Sequence, residues 1–151
     1  MRLTSFTDYS LRVLMYLAAD PDRRATIGEI AQAFEVSENH LMKVVHFLGK
    51  AGLLANVRGR GGGLELARAP GGINVGAVVR ATEGNTGPVE CFDRDTSSCL
   101  IVRACKLRGV LEEAMDAFYA VLDGYTLADI TRNGKALGRV LGIEMPRSGA
   151  R

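Results

Sequence analysis

The sequence predicts a mainly α, α+β fold: a winged helix-turn-helix with a two-stranded wing, followed by one long helix. Three observations carry that expectation. Two short segments of helical apolar periodicity, IGEIAQAF and ENHLMKVVHFLGK, are joined by the link EVS. A glycine-rich stretch, LLANVRGRGGGLELAR, alternates apolar and polar residues on either side of its glycines. Farther on, Leu107, Leu111, Ala114, Phe118, Val121 and Tyr125 recur at steps of 4, 3, 4, 3 and 4. Two helices with a tight turn form a helix-turn-helix, alternation about glycines forms a hairpin, and a heptad repeat forms a helical seam.

Composition sets the frame. With 151 residues, 47% hydrophobic and 24% charged, the chain can bury one real core. No apolar run reaches the ~18 residues of a membrane span. MRLTSFTDYS lacks the apolar centre of a signal peptide, so the cytoplasm is the expected compartment. Three cysteines, an odd number, argue against a disulfide framework there and leave metal ligation, redox sensing or burial.

The elements follow in order. Ser5 and Asp8 fit a capping box ahead of a first helix over about 6–19, with Leu11, Leu14, Met15 and Ala18 inward, ended by ADPDRR. Thr26 caps the second helix, whose apolar face is Ile27, Ile30, Ala31 and Phe34. Ser37 caps the third, which runs to about Lys50 with Leu41, Val44, Val45 and Leu48 inward, and Gly52 terminates it. After the wing, APGGINVG leads to a packing helix, VGAVVRATE. An irregular stretch opened by GNTGP precedes the cysteines. A second apolar line on the long helix, Val110, Met115, Ala117 and Leu122, makes its stripe wider than one small core needs, so part of it is expected to face a second copy. Thr126 with Asp129 opens a further short helix, and the tail from Pro146 is expected to be disordered. We thus divide the chain into 1–83 (winged helix-turn-helix), 84–105 (cysteine loop), 106–125 (dimerisation helix) and 126–151 (short helix and flexible tail).

Charge and exposure point the third helix and the wing at nucleic acid. Residues 39–68 carry Lys43, Lys50, Arg58, Arg60 and Arg68 against a single acid, Glu65, although the whole chain is only +2. The outward face of the third helix holds Glu38, Asn39, Lys43, His46 and Lys50, with Ser37 and His40 near its start. Those side chains can reach base edges and phosphates. Arg58 and Arg60 sit at the hairpin tip, where glycines permit close approach and an arginine suits a narrow A/T-rich minor groove. RGRGGG is not a nucleotide loop, because LELAR continues as a strand rather than a helix and no GK[ST] follows. A two-fold homodimer would set two recognition helices roughly 34 Å apart and read a near-palindromic operator.

Cys91, Cys99 and Cys105 have the spacing C-x7-C-x5-C, without the C-x2-C pairs of zinc knuckles and longer than the common ferredoxin run. Three thiolates on such a loop can wrap a polynuclear cluster, hold zinc in a non-sensing scaffold, or serve as ordinary packing residues. A thiol enzyme is disfavoured: no histidine lies near the cysteines in sequence, no C-x-x-C exists and no acid–base pair stands out.

MRLTSFTDYSLRVLMYLA, VRGRGGGLEL, the three-cysteine loop and YTLADI together resemble a bacterial family of dimeric winged-helix regulators that includes the iron-sulfur regulator IscR and the iron-responsive regulator RirA. The resemblance covers essentially the whole chain and is strongest to the family's nitric-oxide-sensitive repressors. It implies that Cys91, Cys99 and Cys105 ligate an iron-sulfur cluster, [4Fe-4S] in the nitric-oxide-sensitive members, with [2Fe-2S] as the alternative. It further implies an aspartate ligand from the first helix of the other subunit, at the position of Asp8. Members of the IscR type use a histidine two residues after the last cysteine, where this chain has Leu107; His40 and His46 lie instead in the third helix. The seven-residue first gap is as long as in RirA-like regulators, which keeps an iron or redox signal as an alternative to nitric oxide. The implied activity is operator release when nitric oxide attacks the cluster, over genes that detoxify it.

Overall fold

The computed structural model describes residues 2–84, 87–92 and 98–143. Helices α1 (Ser5–Ala19), α2 (Ile27–Phe34) and α3 (Glu38–Lys50) lead into strands β1 (Leu54–Val57) and β2 (Gly63–Leu66). Helices α4 (Val75–Glu83), α5 (Lys106–Asp123), α6 (Leu127–Ile130) and α7 (Gly134–Val140) complete the chain. The architecture is the mainly helical winged fold expected.

Helix α1 is the centre of the core. Val13 and Leu14 have no exposed surface, and α1 packs against α3, α4, α6, α7 and β2. Its N-cap is Thr4, not Ser5: the Thr4 hydroxyl accepts the Thr7 N–H at 3.2 Å. The reason is tertiary. Glu83, at the end of α4, accepts both the Thr4 N–H (2.8 Å) and the Thr4 hydroxyl (2.9 Å) through Oε1, filling the role a capping-box acid at Asp8 would have played. Asp8 takes no part in capping.

Thr26 caps α2 as expected, in a full reciprocal box with Glu29: the Thr26 hydroxyl accepts the Glu29 N–H at 3.2 Å and Glu29 Oε2 accepts the Thr26 N–H at 2.6 Å. The turn to α3 passes through Glu35 at φ 54°, where the Glu35 and Val36 N–H groups satisfy the last carbonyls of α2. Leu41, Val44 and Leu48 of α3 are buried against α1 and α2. Gly52 at φ 68° ends that run, with the Leu53 N–H returning to the Leu48 carbonyl at 2.9 Å.

The wing pairs β1 with β2 antiparallel, Leu54 opposite Leu66 and Val57 opposite Gly63. Ala25 adds a rung, exchanging two backbone bonds with Leu64 at 3.2 and 2.7 Å, so the hairpin is tied to the segment before α2. At the tip, a Cβ on Gly62 would stand 2.3 Å from the Val57 carbonyl oxygen. Only glycine closes the hairpin there.

Helix α5 is held to α4 near its C-terminal end. Arg80 makes a two-pronged ion pair with Asp123 at 2.6 and 2.5 Å, and Asn74 donates to the Asp123 carbonyl at 2.8 Å. A Cβ on Gly76 would fall 2.0 Å from the Asp123 carboxylate. The Arg80 hydrogen bonds hold the Asp123 carboxyl below its ordinary value. No residue of α5 is buried. Leu111, Met115, Phe118 and Leu122 are half-buried on the side of the body, whereas Leu107, Val110, Ala114, Ala117 and Val121 are exposed, at steps of 3, 4, 3 and 4. The uncovered seam is therefore rotated from the expected one: Leu111 and Phe118 of the predicted line are used within the subunit, and Val110 and Ala117 of the second line join the exposed face.

Thr126 and Asp129 form the expected capping box of α6. Helix α7 was not expected. Its seven residues include Gly134 and Gly138, poor helix formers, and the helix is supported by packing on α1. The tail from Pro146 lies outside the described residues.

The α2 box yields a stability prediction. The hydrogen bond from the Thr26 backbone holds the Glu29 carboxyl below its ordinary value, so its contribution is present above the unfolded-state value and is lost as pH falls through the lowered one. Urea unfolding should show Thr26→Ala losing about 1 kcal/mol at neutral pH. Glu29→Gln should be destabilised at neutral pH, with a smaller deficit in acid; an equal deficit at both would contradict the assignment.

Candidate nucleic-acid interface and thiolate site

Burial of Leu41, Val44 and Leu48 turns the opposite side of α3 to solvent. Ser37, Glu38, Asn39, His40, Lys43, His46 and Lys50 are all exposed. Ser37 occupies the N-cap, but its hydroxyl accepts no N–H of the first turn, contrary to the capping expected; Glu38 supplies the negative charge at that positive helix end. The His40 ring lies against Tyr9 of α1, centroids 6.4 Å apart and planes 22° apart, so it is the α3 polar residue drawn toward α1.

Arg58 and Arg60 are exposed at the wing tip, on the same basic stretch as α3. Glu65, the single acid of that stretch, is neutralised: Arg24 Nε donates to its carboxylate at 2.7 Å, and Arg24 Nη1 reaches the Gly61 carbonyl at 3.4 Å. Arg68 Nε donates to the Gly52 carbonyl at 3.0 Å, joining the foot of the wing to the end of α3. Arg24 thus fixes the wing relative to the helix-turn-helix, a role sequence reasoning missed. The contact spans 41 residues and leaves no local pattern.

The cysteines lie on the approach to α5. Cys91 sits in the short helical turn Glu90–Phe92, Cys99 starts the turns that lead to α5, and Cys105 is the N-cap of α5 with no side-chain capping bond. All three are half-buried and none is in a disulfide. By type, three thiolates suit iron-sulfur or zinc chemistry. Among the described residues, no three His, Cys, Asp or Glu side chains gather as ligands of a single ion. Asp8 is engaged within its own subunit: its two carboxylate oxygens take Arg12 Nε at 3.1 Å and Nη2 at 2.9 Å. That pair is local and exposed, worth at most about 1 kcal/mol, so Arg12 is a weak competitor for the carboxylate.

A helix-turn-helix with a basic wing, a polar outward face on its second helix and a cysteine segment feeding a long helix define a winged-helix transcription regulator rather than an enzyme. The chain belongs to the Rrf2 family of iron-dependent transcriptional regulators, whose pattern matches residues 3–133. It is 48% identical over 142 residues to the HTH-type transcriptional regulator NsrR of Bacillus subtilis, covering 93% of this chain and 97% of that one. To NsrR of Halalkalibacterium halodurans it is 47% identical over 145 residues, 95% and 99% of the two chains. Among solved structures it is similar to T. potens IscR, with a TM-score of 0.71 at 27% identity, covering 98% of this chain and 94% of that one. The resemblance read from the sequence therefore holds at the level of an NsrR-type Rrf2 regulator. Among the described residues no helix is long and apolar enough to cross a membrane.

Two wing substitutions separate contact from positioning. Arg58→Ala should weaken duplex binding and reduce the salt slope of log affinity by about 1, as for one lost phosphate contact. Arg24→Ala should weaken binding less and mobilise the tip, read as faster proteolysis between Arg58 and Arg60. A salt slope unchanged in Arg58→Ala would remove that residue from the interface.

Proposed function

We propose that this chain is a homodimeric repressor that holds a near-palindromic operator and releases it in response to nitric oxide, with an iron-sulfur cluster as sensor. Cys91, Cys99 and Cys105 would hold the cluster, [4Fe-4S] in this reading, with Asp8 of the partner subunit as the fourth ligand. Ser37, Glu38, Asn39, His40 and Lys43 would face the major groove, and Arg58 and Arg60 the adjacent minor groove. The observation that carries the reading is the position of Cys105: the last thiol is the N-cap of the helix whose outward face is an uncovered apolar seam.

When bound, such a cluster supplies an iron position at which nitric oxide competes with a weakly held carboxylate. The chain does the rest. Thiolates fixed at 91, 99 and 105 order the segment that enters α5, and α5 sets the distance between the two recognition helices. Releasing Cys105 frees that entry. A mis-spacing of the half-sites forfeits several contacts worth ~1–3 kcal/mol each, enough to lose the operator. The seven-residue cysteine gap favours one second reading, in which iron supply is the signal read by the same thiolates.

Protein isolated without oxygen should contain iron and acid-labile sulfide, absorb broadly in the visible range and lose its operator on titration with nitric oxide. Cys99→Ala should keep its helical circular dichroism but retain no cluster. Asp8→Ala should retain the cluster and change its rate of reaction with nitric oxide. A colourless, zinc-loaded protein that holds the operator regardless of nitric oxide would refute the reading. Val121→Glu, in the exposed seam, should sediment as a monomer and bind a single half-site weakly; an unchanged dimer would place the interface elsewhere.

A further inference from the structure

Helix α3 has six large apolar residues: Leu41, Met42, Val44, Val45, Phe47 and Leu48. Five of them belong to the core or pack against it, Phe47 meeting Phe6 edge-on at 5.3 Å. Met42 does not. It is 51% exposed and lies on the outward side of the helix, between Asn39 three residues before it and His46 four residues after it, with Lys43 alongside. Seven residues on, the same stripe carries Gly49, where a Cβ would meet nothing within 4 Å. The fold of the subunit does not require that glycine, and its missing side chain lowers the helix surface beside Met42. An unbranched thioether thus sits on a shallow stripe in the middle of a polar, basic face.

The neighbours decide what meets it. Lys43, Lys50, Arg58 and Arg60 favour a polyanion over an apolar protein surface. In the major groove of a duplex the one methyl group among the base edges is the C5-methyl of thymine, set among hydrogen-bond donors and acceptors. Methionine, flexible and polarizable, is suited to lie against a methyl group that its own helix does not position tightly.

We infer that Met42 is a specificity-determining residue that reads a thymine methyl in each operator half-site. The inference rests on the operator-binding reading and adds a base identity to it. Asn39 and Lys43, which flank Met42, supply polar readout of the neighbouring pairs, and the methyl contact fixes their register along the groove.

The test uses a duplex selected by the full-length protein from a randomised pool, resynthesised with each thymine in turn replaced by deoxyuridine, which removes only the methyl. Wild type should bind one substituted duplex per half-site about three- to five-fold more weakly, the order expected for one buried methyl. Met42→Ala should bind the thymine duplex more weakly by a similar factor and be indifferent to that same substitution. Met42→Leu should keep most of the discrimination. Because Met42 is exposed, both variants should melt like wild type. If wild type and Met42→Ala respond alike to every deoxyuridine, the inference is overturned. If no duplex is selected at all, the operator-binding reading falls first, and this one with it.

Discussion

Burial of α1 is the constraint on which the rest of the structure depends. Val13, Leu14, Tyr16 and Leu17 fill the core from one helix, and two polar residues share that burial: Thr7 donates to the Thr82 hydroxyl at 2.8 Å and Ser10 to the Phe6 carbonyl at 2.7 Å. Satisfied in this way, they do not incur the cost of an unpaired buried hydroxyl. The recognition helix α3 rests on one part of α1, and α4, which carries α5, rests on another. The polar reader and the apolar seam are therefore referred to the same rigid element. Under the proposed reading, a movement of α5 relative to α4 would change the geometry of the dimer without disturbing α3 in its own subunit.

How legible the fold was depends on the range of the interaction that fixed each part. The spans of α2, α3 and α4 and the alternation of the wing were readable because apolar periodicity and local turn chemistry agree there. The start of α1 was not, because its cap is chosen by Glu83, 79 residues away, and a sequence pattern sees only the nearby Ser5 and Asp8. Helix α7 was missed for the same reason, as packing on α1 outweighs its glycines. The apolar stripe on α5 was legible, but a heptad count cannot tell which of its residues, such as Leu111 and Phe118, are used inside the subunit and which are left outside.

The candidate site shows the same division. Ser37, Glu38, Asn39, His40 and Lys43 were identified from one helix face, and all are exposed. Two features of that face are set by tertiary packing: the stacking of His40 on Tyr9 and the exposure of Met42, which periodicity alone would not separate from Leu41 next to it. The neutralisation of Glu65 by Arg24 was invisible for want of a local signal, yet among the described residues it leaves Arg58 and Arg60 as the uncompensated charges at the wing tip.

The two ion pairs at opposite ends of this arrangement are built for different duties. Both pairs are similarly exposed, but Asp8–Arg12 lies within one turn of α1, so exchanging it for another partner unties no second helix. Arg80–Asp123 joins two helices across 43 residues, with Arg80 also 4.4 Å from the Tyr119 ring and Gly76 leaving room for the carboxylate. One pair can be given up at little cost, whereas the other holds α5 to α4. Under the proposed reading, a disturbance at Cys105 acts on the opposite end of α5 from this clamp, about 27 Å away along an 18-residue helix. A tilt of about ten degrees about the Asp123 end then displaces the Cys105 end by about 5 Å. The seam between the clamp and the thiolate would carry that tilt into the dimer, so the long-range Arg80–Asp123 tie and the local Asp8–Arg12 pair are complementary parts of one lever.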